Sequence, residues 1–122
     1  GQFVTTAGVP TGSKITISNS APNHPFGGLT WNGTRYLGSW VENFGSPATS
    51  VKGRYFDTSG APIGSEQTLF SATGGGSVPM FAIPIPNGTN YFSIVTRGIP
   101  GIDPYDFDAY TEVNIYGKFI SP

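Results

Sequence analysis

Apolar and polar residues alternate with a period of two along short stretches of this chain, and turn-forming residues separate the stretches. Lys14-Ile15-Thr16-Ile17-Ser18 shows the pattern most cleanly. Side chains on a strand point to opposite faces in turn, so this alternation predicts a half-buried strand. Glu66-Gln67-Thr68-Leu69-Phe70 predicts another. Two hairpins are expected around Asn-Gly, a dipeptide that reaches positive φ readily and suits the tight turn between antiparallel strands. The first joins residues 26–31 to 36–41 across Asn32-Gly33, and the second joins 81–85 to 91–95 across Asn87-Gly88. Both second arms, Tyr36-Leu37-Gly38-Ser39-Trp40-Val41 and Tyr91-Phe92-Ser93-Ile94-Val95, are apolar at successive positions, which predicts strands covered on both faces. Pro84 and Pro86 have no N–H to give a ladder, so their arm is expected at a sheet edge. No segment has helical periodicity with caps. The expected fold class is all-β.

Aligning the stretches exposes an internal repeat. Gly1-Gln2-Phe3-Val4-Thr5-Thr6-Ala7-Gly8-Val9-Pro10-Thr11-Gly12-Ser13 matches Gly53-Arg54-Tyr55-Phe56-Asp57-Thr58-Ser59-Gly60-Ala61-Pro62-Ile63-Gly64-Ser65, with glycines, proline and serine in register. In each, glycine supplies positive φ and proline fixes φ for the turn. Trp31-Asn32-Gly33-Thr34-Arg35-Tyr36 answers to Pro86-Asn87-Gly88-Thr89-Asn90-Tyr91, and Gly117-Lys118-Phe119-Ile120-Ser121-Pro122 opens a third, partial copy. The chain thus reads as a single domain, 1–122, of two tandem blade-like repeats, about 1–52 and 53–116, with the partial copy at 117–122. Residues 97–112 are an insertion in the second copy, expected as an exposed loop.

Composition narrows the function classes. The 122 residues carry a net charge of −1, with 11% charged and 14% aromatic residues. Without a basic patch to neutralise phosphates, nucleic acid is not an expected partner. Cys is absent, which removes disulfides, thiolate metal sites and cysteine nucleophiles at once. No apolar run is long enough to cross a bilayer as a helix, so membrane insertion is not expected either. Gly 18 and Pro 11 are high counts, but here these residues punctuate alternating runs, as turns do.

The phrase Asn32-Gly33-Thr34-Arg35-Tyr36-Leu37 with Trp40, followed by Val51-Lys52-Gly53-Arg54-Tyr55-Phe56 and Gly60-Ala61-Pro62-Ile63-Gly64, resembles the β-propeller-like repeats of large secreted bacterial surface proteins. Asn114-Ile115-Tyr116-Gly117-Lys118-Phe119 fits the middle phrase of that pattern. The chain departs from the pattern at Val95, where a Trp is expected, and at Pro84 and Pro86. The resemblance implies a propeller-like fold and a secreted or bacterial cell-surface location, and its motifs carry no enzymatic signature. Two such repeats cannot close a ring alone. They either pack face to face as a β-sandwich or complete a propeller-like assembly by oligomerising.

Candidate chemistry is sparse. His24 is the only histidine and lies in a linker between Asn23 and Pro25, away from any nucleophile motif. The carboxylates do not pair across an evident cleft. Asp103, Asp106 and Asp108 offer oxygens that Ca²⁺ would accept, but Pro104 stiffens the segment and an EF-hand glycine is missing. Neither a catalytic residue nor a cofactor is expected. Trp31, Tyr36 and Trp40, with Tyr55 and Tyr91, form a candidate aromatic platform for sugars, or else fill the core. Asn32-Gly33-Thr34 and Asn87-Gly88-Thr89 match both a glycan acceptor and a hairpin turn. The chain opens on Gly1-Gln2-Phe3 and ends on Gly117-Lys118-Phe119, the same strand motif. Unfinished edges there invite pairing with another chain. The function expected is therefore a non-catalytic extracellular assembly module, a fibre or pilus-like subunit that self-associates or joins another filament subunit. The alternative is a carbohydrate-binding module that oligomerises into a propeller.

Overall fold

The computed structural model of the chain describes residues 1–19, 27–44, 46, 48–72, 78–98 and 113–121. Nine strands run β1 (Phe3–Val4), β2 (Pro10–Thr11), β3 (Gly27–Trp31), β4 (Tyr36–Glu42), β5 (Ser50–Phe56), β6 (Pro62–Ser71), β7 (Val78–Asn87), β8 (Asn90–Gly98) and β9 (Val113–Ile120), with no helix among the described residues. They form three antiparallel sheets: β1-β2, β3-β4-β5-β6 and β7-β8-β9, here sheets 1, 2 and 3. Every strand pairs only with its neighbours in sequence. The all-β expectation holds.

The hairpins repeat one another in register. Phe3↔Thr11 and Val4↔Pro10 recur, one constant shift along, as Tyr55↔Ile63 and Phe56↔Pro62. Trp31↔Tyr36, Leu29↔Gly38 and Gly27↔Trp40 recur as Pro86↔Tyr91, Pro84↔Ser93 and Ala82↔Val95. Leu37↔Tyr55 and Val41↔Val51 recur as Phe92↔Phe119 and Thr96↔Ile115. The same turns are made by the same means. Gly8 and Gly60 sit at φ 77 and 82. A side-chain oxygen at the turn's start, on Thr5 or Asp57, accepts the N–H of Val9 or Ala61. β7, which carries Pro84 and Pro86, is an edge strand as expected.

Sheets 2 and 3 pack face to face, with β7 laid across β3 and β4. The core between them comprises Leu37, Val41, Val51, Tyr55, Leu69 and Phe70 from sheet 2, Tyr91, Val95 and Ile120 from sheet 3, and Phe44 beyond β4. Ser39 Oγ donates to the Ala82 carbonyl across the seam at 3.4 Å. At the hairpin tips, Tyr91 Oη donates to the Arg35 carbonyl at 2.6 Å, and Asn32 Nδ2 to the Thr89 carbonyl at 2.9 Å. Tyr55 Oη donates to the Ser121 carbonyl at 3.0 Å. The buried tyrosines thus keep their polar ends satisfied. Burial pushes the Tyr91 hydroxyl up to about 12, with Tyr55 adding to the rise and Arg35 opposing it.

Two expectations need correction. Residues 14–18 form no strand: β2 stops at Thr11, and Ile15 donates to and accepts from Gly1 without extending a ladder. Gly12, at φ 69, is not the cause, since Gly64 has φ 68 and β6 continues through it; after Gly12, Ile15 and Ile17 pack against Gly60 and Gly38 instead of extending the ladder. β4 is buried on both faces as expected, but β8 is not: its burial alternates, because only its Tyr91-Ser93-Val95 side meets sheet 2.

Candidate functional site

The side of sheet 2 turned away from sheet 3 carries Leu29 and Trp31 from β3, Tyr36 and Trp40 from β4, and Phe56 from β5. Pairs such as Trp31↔Tyr36 and Tyr36↔Phe56 place these side chains on one face. Sheet 1 and residues 14–17 lie over part of it. Gly38 has no side chain here because Phe56 and Ile17 close over it: a Cβ would lie 3.1 and 3.3 Å from their carbons. Beside this cover are two apolar hollows. One, of about 250 Å³, is bounded by Phe3, Ile15, Leu29, Tyr36 and Phe56. The other, of about 470 Å³, is bounded by Gly27, Gly28, Leu29, Ile17 and Trp40.

The expected aromatic platform is divided by the fold. Trp31 and Tyr36 stack at 4.7 Å with their planes 45° apart, and Trp31 remains 38% exposed. Trp40 is buried under the second hollow, and its Nε1 has no hydrogen-bond partner. Tyr55 and Tyr91 lie on the opposite side of the sheet, in the core, and present no face to a ligand. Only Trp31 and Tyr36 offer aromatic surface. Asn32 is absorbed by its turn, where Oδ1 accepts from the N–H groups of Thr34 and Arg35 and from the Thr34 hydroxyl. Asn87 is exposed.

The expected assembly edges differ from each other. Gly1 is tied to Ile15 in both directions, Gln2 Nε2 donates to the Gly12 carbonyl at 2.9 Å, and Phe3 pairs with Thr11. At the other end, β9 is paired along one side only among the described residues, and seven of its eight residues are exposed. Gly117 lies beneath the Phe92 ring, Lys118 Nζ turns inward to the Leu69 carbonyl, and Phe119 stands out at 62% exposure beside Phe92.

β9 also borders a surface that sequence reasoning missed. Ile83 and Ile85 of β7, Phe92 and Ile94 of β8, and Ile115 and Phe119 of β9 share the face of sheet 3 turned away from sheet 2. Ile115 is 73% exposed and Ile83 63%. An antiparallel sheet facing water normally carries polar side chains on that side. The signal was present in the alignment: isoleucine stands at 83, 85 and 94 where the first copy has Gly28, Thr30 and Ser39.

Among the described residues no three His, Cys, Asp or Glu side chains converge as a metal site would need. His24 and Asp103, Asp106 and Asp108 lie outside the described residues, as does nearly all of the 97–112 insertion. Comparison with protein-family models, with curated proteins and with solved structures finds no match to this chain.

Proposed function

We propose that this chain is a non-catalytic extracellular structural module, a subunit of a surface or filament assembly that self-associates through its open strand edge. The observation that carries the reading is β9: eight residues long, paired on one side, exposed at all but one position, with Val113, Ile115 and Phe119 among them. Unpaired backbone groups beside apolar side chains are a template for another strand. The recurring registers support two tandem blade-like repeats with part of a third, an arrangement suited to adding further units. The resemblance to secreted bacterial surface proteins supports the location. Light scattering over a range of concentrations tests the proposal. Mass should rise with concentration, and Ile115→Lys, which sets a charge on the edge, should return the protein to monomer. A wild-type monomer throughout would sink the reading.

A second reading rests on the Trp31–Tyr36 ring pair, of which Tyr36 lines the 250 Å³ hollow, an arrangement that suits stacking against a sugar ring. A glycan array decides it. Specific binding that is lost in Trp31→Ala supports a carbohydrate-binding module, and an array with no signal removes it.

A further inference from the structure

We infer that the open face of sheet 3 is a docking surface for a second copy of this chain, which seats its β3 strand there. This rests on the assembly reading above and adds to it a face, a partner segment and a direction. The template is inside the molecule. In sheet 2, Leu37, Val41, Val51 and Tyr55 are buried because the inward face of sheet 3 lies over them, with β7 across β3 and β4 and with Tyr91, Val95 and Ile120 filling the core. The recurring strand pairs carry these positions to Phe92, Thr96, Ile115 and Phe119 of sheet 3, where nothing among the described residues covers them in the same way.

What crosses β3 and β4 is the inward side of the first strand of sheet 3. The matching surface on a second copy is the outward side of the first strand of sheet 2, which is β3. Its Leu29 and Trp31 are 56% and 38% exposed. Neither surface bears a charge: one offers Ile83, Ile85, Phe92, Ile94 and Phe119, the other Gly27, Leu29 and Trp31. Their shapes are complementary as well. Inside the molecule Pro84 fits over Gly28, where an added Cβ would meet Pro84 Cδ at 3.6 Å. Ile83 is a larger knob, and the 470 Å³ hollow beside β3, floored by Trp40, is the space to receive it. The two surfaces differ, so the contact is head-to-tail and each copy carries both halves.

The test uses Ile83→Asp and Leu29→Asp, both at exposed positions, with melting curves to confirm that each variant folds. Each alone should be monomeric where the wild type grows with concentration. Mixed, they should form a one-to-one heterodimer that grows no further, because each retains the half the other lost. Three results would overturn this inference alone. If Leu29→Asp assembles like the wild type, the open faces pair with each other. If the mixture stays monomeric, the two surfaces are not partners. If Ile83→Asp assembles normally while Ile115→Lys does not, the strand edge alone carries assembly, and the proposed function survives without this contact. A wild-type monomer at every concentration removes both.

Discussion

β5 and β9 carry one phrase, Gly53-Arg54-Tyr55-Phe56 and Gly117-Lys118-Phe119-Ile120, and pair in one register with β4 and β8. Their surroundings are opposite. β5 has β6 on its free side, sheet 3 over one face, and sheet 1 with Ile15 and Ile17 beside the other, so Val51 and Tyr55 are buried on the first face and Phe56 on the second. β9 has none of these among the described residues, and only Ile120 is buried. The contrast separates what a strand's sequence specifies from what its neighbours supply. Alternation and the glycine determine the register in both places. Burial, and with it most of the stabilisation, depends on what is packed above.

The sharpest way to break this comparison is to shorten side chains at covered and open positions. Leu37→Ala empties space in the core and should cost about 2–5 kcal/mol in urea denaturation. Ile115→Ala, measured at concentrations where the protein is monomeric, should change stability by no more than about 0.5 kcal/mol. Equal costs would mean that the open face is covered in solution even in the monomer.

A second contrast uses the repeated turns. Gly8→Ala and Gly60→Ala each force a side chain into positive φ, at about 1–2 kcal/mol. Only at Gly60 would the new Cβ also collide, 2.1 Å from Ile15 Cδ1, whereas Gly8 has open space around it. Gly60→Ala should therefore cost more by about 1–3 kcal/mol, the range for overpacking. Thermal melting of the two variants side by side checks this.

A smaller effect concerns the seam. Tyr91→Phe deletes the bond to the Arg35 carbonyl and should cost about 0.5–1.5 kcal/mol. The pH dependence has a defined sign. The folded protein holds the Tyr91 proton more tightly than the unfolded chain, whose tyrosines titrate near about 10. Its contribution is complete below that pH and is lost as pH rises toward about 12. Denaturation midpoints between neutral and strongly alkaline pH should fall more steeply for the wild type than for Tyr91→Phe.

The smallest effect separates the two turns again. Hydrogen bonds from Ser59 and Ala61 hold the Asp57 carboxyl below its ordinary value, so what it contributes is present at neutral pH and lost on acidification through that lowered value. Thr5, in the matching place, does not titrate. Amide exchange at Ala61 should quicken on acidification relative to exchange at Val9, once both are corrected for intrinsic rates. Parallel behaviour at the two amides would remove Asp57 as the cause.

Much of the fold was legible locally. The Asn-Gly turns, the proline-bearing edge strand and the length of β4 follow from turn chemistry and alternation over a few residues. Residues 14–18 misled because their alternation is real but serves packing: Ile15 reaches Gly60, and Ile17 closes over Gly38, without a ladder. The candidate site was harder to read. Tyr36 and Tyr55 lie on adjacent strands one step out of register, which puts one under sheet 1 and the other in the core. Sequence spacing alone does not show which face meets which sheet. Ile94, in an arm expected to be covered on both faces, faces away from sheet 2 for the same reason.

Neighbour-only pairing has a consequence in time as well as in space. Contacts between strands adjacent in sequence close short loops and form early, whereas those between the sheets close long ones and form late. As the chain leaves the ribosome, β3 to β6 can zip together before β7 emerges. At that moment Leu37, Val41 and Val51 are as bare as Ile115 and Phe119 are afterwards. The arrival of β7 and β8 covers the first sheet while opening an equivalent surface on the next. Synthesis thus passes the bare apolar face forward by one sheet, and a nascent chain is most prone to mispairing between the completion of β6 and the emergence of Val95.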